Sequence, residues 1–211
     1  MKTVIVFLAP GFEEVEAVTP IDYLRRSGCK VITAAVPSAE SAASNSQVAT
    51  KIVKGAHGIE ICADVILSEF LAQNKGFVPD AVFAPGGMPG AANIAADSNA
   101  CSLIKQVFDN GGVVAAICAA PVVVLAKTGV LAGKMYTCYP GMEEELKAFC
   151  TSAYPKAVEG SRHIAEISFV KDGNIITGAG PGCAEQFALE FVSMLCGKNE
   201  SELLKNRIIA R

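Results

Sequence analysis

The sequence has no basic patch and no long hydrophobic run. Its 18 lysine and arginine residues are scattered along the chain and the net charge is −3, so we expect no nucleic-acid or anionic-membrane partner. No segment approaches the ~18 uninterrupted apolar residues of a transmembrane helix. The apolar stretch before Pro10 is shorter than a signal peptide and is followed by no small-residue cleavage site. These absences favour a cytoplasmic protein that acts on small ligands.

Closely spaced cysteine pairs are absent as well. The eight cysteines are Cys29, Cys62, Cys101, Cys118, Cys138, Cys150, Cys183 and Cys196. No two of them are separated by the two to four residues that are typical of zinc and redox motifs. Without a secretory signal, such cysteines are expected to be independent reduced thiols. The spacing therefore predicts neither a metal site nor a disulfide framework.

Alternating apolar and amphipathic segments are what the sequence does contain. With 211 residues, of which 51% are hydrophobic, the chain can bury a substantial core, and we favour one domain over residues 1–211 to two small ones. Residues 3–8, 80–84 and 113–117 have the composition of buried strands, and predicted helices separate them. This order predicts an α/β, doubly wound, mostly parallel sheet with helices on both faces.

Three further segments are predicted from local composition. Residues 165–177 form a small β-hairpin with Asp172 and Gly173 as its two-residue turn. Residues 37–47, which are rich in serine, alanine and asparagine, predict a surface loop. Residues 142–150 predict an exposed helix.

A cysteine stands at the junction of a buried strand and a helix in residues 111–121, GGVVAAICAAP. No polar linker separates the two elements, a context that predicts a nucleophile elbow at Cys118. In such an elbow the sulfur faces the unpaired N–H groups of a helix N-terminus, and we expect a more acidic thiol than a free cysteine. The alternative is a buried cysteine that acts as a small hydrophobe. Ala116, Ala119 and Ala120 favour the elbow, because a cramped turn admits only small side chains.

Loops that follow three parallel strands are expected to meet at one edge of the sheet, where doubly wound folds bind ligands. They are the loop after the first strand, the turn at residues 85–87 and the elbow at Cys118. Gly86 and Gly87 have no side chains to block an approaching group, so their backbone N–H groups and that of Ala119 are candidate oxyanion and substrate donors. An ordinary tight turn is the alternative for the glycine pair, and only the elbow downstream favours the oxyanion hole.

Glu13, Glu14 and Glu16 begin the first predicted helix, where the helix dipole favours carboxylates whatever their function. Glu16 differs because the helical period places it near apolar neighbours such as Ile21 instead of plainly on the solvated face. We therefore predict a desolvated Glu16 that keeps its proton near neutral pH and shares its titration with Cys118. Such a carboxyl can pass a proton to or from a substrate.

The two histidines, His57 and His163, do not adjoin Cys118 in the sequence. A Cys-His-acid arrangement of Cys118, His163 and Glu166 stays open, although His163 begins a predicted strand away from the elbow loops. His57 lies in a predicted loop, within reach of either the crevice or a subunit partner.

Five segments, in order and over almost the whole chain, are GFEEVEAVTPIDYLRRSG, APGGMPGAANI, VVAAICAAP, DGNIITGAGPG and EQFALEFV. Together they resemble the ThiJ/PfpI superfamily and, within it, the DJ-one branch of Parkinson-disease-associated deglycases. The resemblance implies a flavodoxin-like fold, a homodimer, no metal and no organic cofactor. A peptidase is disfavoured, because Ala119 stands where the intracellular-protease branch has a histidine after the nucleophile.

The resemblance also implies a chemistry. Cys118 is the implied oxidation-sensitive nucleophile, Glu16 its protonated partner, and Gly87 and Ala119 the oxyanion donors. The implied substrates are methylglyoxal, glyoxal or their adducts on protein side chains. They become lactate or glycolate through a hemithioacetal on Cys118, with Glu16 as the proton shuttle. The alternative role is an oxidative-stress sensor or holdase chaperone in which Cys118 itself is oxidised.

Two positions depart from the DJ-one branch. Tyr139 in CYPG replaces a histidine that many relatives carry before the proline, and His57 replaces an arginine that often precedes the ICAD-type strand. Both are candidate accessory residues, and either change can alter turnover. Cys62, Pro181 and the first helix lie where relatives form their dimer.

Overall fold

A seven-stranded, mostly parallel sheet forms the centre of the fold. The computed structural model describes residues 1–38, 50–146 and 158–210. Its strands are β1 (Thr3–Leu8), β2 (Lys30–Ala35), β3 (Ile52–Lys54), β4 (Glu60–Cys62), β5 (Val65–Ile66), β6 (Ala81–Ala84), β7 (Val113–Ile117), β8 (Met135–Tyr136), β9 (Arg162–His163), β10 (Phe169–Asp172) and β11 (Ile175–Gly178). The central sheet has the order β10-β11-β7-β6-β1-β2-β5, and only the β10–β11 pair is antiparallel. The predicted fold class is confirmed.

Side chains of β1 alternate between two apolar cores, one on each face of the sheet. Ile5 and Phe7 belong to one core, whereas Val4, Val6 and Leu8 belong to the other. All five are fully buried. A strand covered on both faces must be apolar at every position, which explains the uninterrupted hydrophobic run at the start of the sequence.

Helices cover both faces of the sheet. They are α1 (Glu14–Arg26), α2 (Leu67–Gln73), α3 (Gly90–Ala96), α4 (Ser98–Asp109), α5 (Ala126–Thr128), α6 (Ala184–Cys196) and α7 (Lys198–Ile208). Helices α1, α6 and α7 pack on one face, and α2 to α5 pack on the other. On the first face, Phe83 of β6 meets the rings of Phe187 and Phe191 of α6 at 5.6 and 6.1 Å between centroids. Within this described part of the chain, no helix is both long and apolar enough to span a bilayer.

The peripheral predictions had mixed outcomes. The hairpin is present as β10 and β11, but Asp172 pairs with Ile175, so the turn consists of Gly173 and Asn174 instead of the predicted pair. Gly173 has a φ of +62°, which glycine tolerates at a tight turn. Of the predicted 142–150 helix, residues 142–146 are helical and the rest lie outside the described residues, as does most of the predicted 37–47 loop.

Two small sheets lie beside the central one. Strands β3 and β4 pair antiparallel, and β8 and β9 pair parallel. The first carries the turn that contains His57, and the second brings residues near positions 136 and 163 together.

Candidate active site

Cys118 occupies a strained position between β7 and the helical segment that follows it. Its φ is +63°, in the left-handed region that residues other than glycine seldom adopt. Its N–H donates to the Gly178 carbonyl at 2.9 Å, and its own carbonyl accepts from the N–H of Tyr139 at 2.9 Å. These two bonds hold the turn from both sides. The predicted strand-turn-helix geometry is present, and strain of this kind is concentrated at functional sites.

Gly86 brings the loop after β6 into contact with both Cys118 and Glu16. A Cβ at this position would lie 2.5 Å from Oε2 of Glu16 and 2.6 Å from Cβ of Cys118, so only glycine fits. The Gly86 N–H donates to Oε2 of Glu16 at 2.9 Å. This bond corrects the predicted role of Gly86: it holds the buried carboxyl, and its N–H is not a spare oxyanion donor.

The backbone N–H groups of Gly87 and Ala119 do face the sulfur of Cys118. Hydrogen bonding from both groups acts to lower the pKa of the thiol, because donors stabilise the thiolate. Gly87 has a φ of +84°, and a Cβ there would lie 2.5 Å from the Glu13 nitrogen. A larger residue would therefore move this loop and displace one of the two donors.

Glu16 is a fully buried carboxyl in the first turn of α1. Glu13 caps that helix, accepting the Glu16 N–H at 2.6 Å, and the cap fixes where Glu16 enters the core. Burial raises the pKa of Glu16 to about 7, although hydrogen bonds with Cys118 and Gly86 act to lower it. Its Oε1 has no N–H or O–H partner among the described residues. The carboxyl therefore holds its proton to neutral pH, as the sequence predicts.

The thiol of Cys118 does not have the predicted acidity. Burial raises its pKa to about 12, with the neighbouring Glu16 carboxylate adding to the increase, and the donors Gly87 and Ala119 do not offset it. The prediction of a more acidic thiol is therefore wrong for a site in which Glu16 is ionised. Between these two pKa values the pair holds a single proton, and its titration belongs to both groups together.

His57 lies at the N-terminus of α1, where it pairs with Glu14. Its Nδ1 is 2.9 Å from Oε2 of Glu14, and its backbone N–H donates to Oε1 at 2.8 Å. The hydrogen bond to Glu14 raises the pKa of His57. Glu14 is 5% exposed, whereas helix position alone predicted a solvated carboxylate. The burial of Glu14 was not predicted, because the turn that covers this side chain comes from a segment about forty residues away in the sequence.

Tyr139 and His163, the other accessory candidates, have different neighbours. Tyr139 contacts the elbow through its backbone N–H, while its side chain is 50% exposed. His163 packs its ring against Tyr136 at 5.4 Å between centroids and groups with Cys138. The alternative triad that combines His163 with Glu166 therefore has no support from these contacts.

Comparison with known proteins identifies the family of this chain. A sequence model of the DJ-1/PfpI family matches residues 2–194. The chain belongs to the DJ-1/PfpI family. It is 36% identical to "Protein dj-1beta" of Drosophila melanogaster, over 99% of this chain and 98% of the relative. The crystal structure of Drosophila melanogaster DJ-1beta has a TM-score of 0.80 at 35% identity, covering 100% of this chain and 98% of that one. These similarities place the chain in the DJ-1 branch.

A relative of known chemistry is also found. "Glutathione-independent glyoxalase DJR-1.2" of Caenorhabditis elegans is 32% identical, over 100% of this chain and 98% of the relative. The structure of "Toxoplasma gondii DJ-1, oxidized" has a TM-score of 0.79 at 30% identity, covering 99% of this chain and 98% of that one. The DJ-1/PfpI family thus includes a glyoxalase enzyme, and one related structure is of an oxidised protein.

Two groups of metal-ligand side chains lie in the described part of this DJ-1/PfpI protein. They are Glu13, Glu14 and His57, and Cys138, Glu143 and His163; in each group one ligand atom per residue lies within 4.8 Å of the others. Neither group includes Cys118 or Glu16. The thiol–carboxyl pair is therefore separate from both.

Proposed function

We propose that this protein is a cofactor-free glyoxalase or deglycase that converts methylglyoxal or glyoxal, or their adducts on protein side chains, into hydroxy acids. The supporting observation is the fully buried Glu16 carboxyl, with a pKa of about 7, beside the strained Cys118. A carboxyl of that pKa can both give and take a proton near neutral pH. The glyoxalase named among the relatives supports the same chemistry.

The reactive form of the pair carries its single proton on Glu16 and its charge on Cys118. The thiolate attacks the aldehyde carbon, and the new alkoxide is met by the N–H groups of Gly87 and Ala119. Glu16 donates its proton to that oxygen, which completes the hemithioacetal. A pKa of about 12 for the thiol makes this form a minority, because it requires the proton to leave sulfur for the carboxyl.

Glu16 then acts as a base on the same intermediate. The carboxylate removes the hydrogen from the former aldehyde carbon, which gives an enediol, and returns a proton to the adjacent carbon. The hydroxyl proton moves to the oxygen of that adjacent carbon, so the hydroxyl carbon becomes a thioester carbonyl and its neighbour carries the hydroxyl. Water hydrolyses this thioester, which releases lactate from methylglyoxal or glycolate from glyoxal and regenerates Cys118. One water is consumed, and no external oxidant or reductant is needed.

Lactate formation from methylglyoxal without glutathione tests this proposal. We expect Cys118→Ser and Glu16→Gln to lose at least about 100-fold in rate, as removal of a nucleophile or general acid–base does. Cys101→Ser is the matched control, because Cys101 is also a partly buried cysteine but lies on α4. Equal rates for wild type and Cys118→Ser refute the proposed glyoxalase activity.

An oxidative-stress sensor or holdase chaperone is the second candidate function. It is favoured by the hydrogen bond between the Glu16 carboxyl and Cys118, because a protonated carboxyl in that position can donate to an oxygen of a Cys118 sulfinate. Intact-mass analysis after mild peroxide treatment and then a thiol reductant should find two added oxygen atoms, located on Cys118 by peptide mapping. Oxidation scattered over all the cysteines counts against this role.

We also infer a homodimer that acts in the reducing environment of the cytoplasm. Support for the dimer comes from the resemblance and from α1, where Val15 and Val18 are 51% and 47% exposed. Exposed apolar side chains on one helix are typical of an interface. The compartment remains a prediction from the sequence.

A further inference from the structure

A group of three metal-ligand side chains outside the Cys118 site lies beside β8 and β9. Sγ of Cys138, a carboxylate oxygen of Glu143 and a ring nitrogen of His163 are within 4.8 Å of one another. Cys138 is 1% exposed, whereas the other two are partly exposed. Cys138 and His163 are about 25 residues apart in the sequence. The spacing of cysteines alone therefore cannot reveal the group.

Backbone pairing positions these side chains. Strands β8 and β9 place Tyr136 opposite His163, and the Ile164 N–H donates to the Tyr136 carbonyl at 2.8 Å. Cys138 follows two residues later. Glu143 is oriented by the Gly141 N–H, which donates to its Oε2 at 2.8 Å, and the same oxygen is 3.9 Å from Sγ of Cys138.

Thiolate, imidazole and carboxylate together form a donor set that Zn²⁺ and Co²⁺ accept. Tetrahedral bonds of about 2.3 Å to sulfur and about 2.0 Å to nitrogen or oxygen place ligand atoms about 3.5 Å apart. Because the three ligand atoms lie within 4.8 Å of one another, the group needs to contract by no more than about 1.3 Å. Their partial exposure leaves one side open to water.

We propose that Cys138, Glu143 and His163 form a binding site for a zinc-type divalent cation, with water as the fourth ligand. On binding, the Cys138 thiol gives its proton to solvent and a sulfur–metal bond forms, with no change of oxidation state. The cation neutralises the thiolate and the carboxylate.

The site adjoins the elbow. Cys138 immediately precedes Tyr139, whose N–H donates to the Cys118 carbonyl. A cation on Cys138 would fix this segment and, through it, one of the two bonds that hold the Cys118 turn. The competing explanation is that Cys138 simply donates a weak hydrogen bond to Glu143 and fills the core.

Titration of the full chain with Co²⁺ distinguishes the two explanations, because a cobalt–thiolate bond gives a charge-transfer band in the near ultraviolet. We expect a band that saturates at one cation per chain and that survives in Cys118→Ser. Cys138→Ser should lose it, and His163→Gln should bind at least about tenfold more weakly. His57→Gln should bind normally, because the Glu13–Glu14–His57 group contains no thiolate.

Absence of the band from the wild type, or its persistence in Cys138→Ser, overturns the proposal. Loss of the band in Cys118→Ser assigns the cation to the active site and overturns it as well. His163→Gln keeps the test valid if Cys138→Ser does not fold, because His163 is partly exposed. As a second readout, Zn²⁺ should raise the melting temperature of the wild type more than that of His163→Gln.

A separate observation concerns Cys29 and Cys196, whose sulfur atoms are 3.4 Å apart although the residues are 167 positions apart in sequence. Both are free thiols, as predicted, but they are not independent, because the end of α6 packs against the start of β2. Cys29 is 7% exposed and Cys196 is partly exposed. Peroxide therefore reaches Cys196 first.

We propose that Cys29 and Cys196 form a reversible disulfide under peroxide. The Cys196 sulfur takes one oxygen from hydrogen peroxide to become a sulfenic acid, and one water is released. Cys29 then attacks that sulfur; the S–S bond forms, the S–O bond breaks, and a second water leaves with the Cys29 proton. Two thiols are oxidised and one peroxide is reduced.

Non-reducing peptide mapping of peroxide-treated Cys118→Ser protein tests this pair without interference from the active site. We expect a cross-linked peptide containing Cys29 and Cys196 that disappears on reduction, and a higher melting temperature in the oxidised form. In a Cys29→Ser variant, Cys196 should instead be trapped as a sulfenic acid by dimedone. Oxidation of Cys196 in Cys118→Ser protein without the cross-link refutes the proposal.

Discussion

Replacing Glu16 with glutamine isolates the effect of its buried charge, because the two side chains have nearly the same shape. Burial raises the pKa of Glu16 from 4.5 to about 7. The folded chain therefore binds this proton more tightly than the unfolded chain. The resulting stabilisation is complete below about pH 4.5 and is lost as the pH rises through about 7.

The size of this effect follows from the shift. At about 1.4 kcal/mol per pKa unit, it corresponds to about 3 kcal/mol of unfolding free energy between about pH 4.5 and about pH 8. Glu16→Gln keeps an oxygen that can accept from the Gly86 N–H and has no charge to desolvate. We therefore expect the variant to lack this pH-dependent loss and to equal or exceed the wild type in stability at about pH 8.

Urea unfolding followed by circular dichroism measures this difference across the pH range. The quantity to compare is the variant minus the wild type at each pH, because contributions from other titrating groups then cancel. Glu60→Gln serves as the control, since Glu60 is exposed on β4. If the curves of wild type and Glu16→Gln stay parallel from about pH 4.5 to about pH 8, the reasoning on the buried carboxyl is refuted. If Glu16→Gln is more stable than the wild type but inactive, Glu16 contributes to catalysis at a cost in stability.

Gly86→Ala, whose Cβ would lie 2.5 Å from the buried carboxyl, should lose about 1–3 kcal/mol in urea unfolding; unchanged stability contradicts the close packing. In Glu14→Gln, the pKa of His57 should fall towards 6.5 in an imidazole NMR titration, and an unaltered value rules out the ion pair. Val18→Lys should convert a dimer to a monomer in light scattering, whereas a dimer that persists places the interface elsewhere. Tyr139→Phe should slow lactate formation less than about tenfold, because its backbone contacts the elbow; a loss of about 100-fold or more would assign its hydroxyl to acid–base catalysis.

The order of elements and the position of the elbow cysteine were readable from the sequence because both depend on local patterns. An uninterrupted apolar strand such as residues 3–8 signals burial on both faces. A cysteine between such a strand and a helix signals an elbow, and the φ of +63° at Cys118 agrees. The desolvation of Glu16 also followed from helical periodicity.

Tertiary structure decided what depends on contacts between distant segments. Gly86 holds Glu16 because the loop after β6 meets the first turn of α1, 70 residues away in sequence, and neither local sequence shows that bond. Burial and the neighbouring Glu16 charge raise the pKa of Cys118, whereas two backbone donors lower it. The spacing of residues in the sequence does not indicate which of these effects is larger.

The same reason applies to the other cysteines. Cys29 and Cys196 approach each other, and Cys138 meets His163, only because strands and helices far apart in the chain pack together. The amino-acid sequence by itself determined the order of strands and helices and the burial of uninterrupted apolar strands. The three-dimensional packing alone decided which buried groups lie close enough to interact, because such interactions depend on distances of a few ångströms between remote residues.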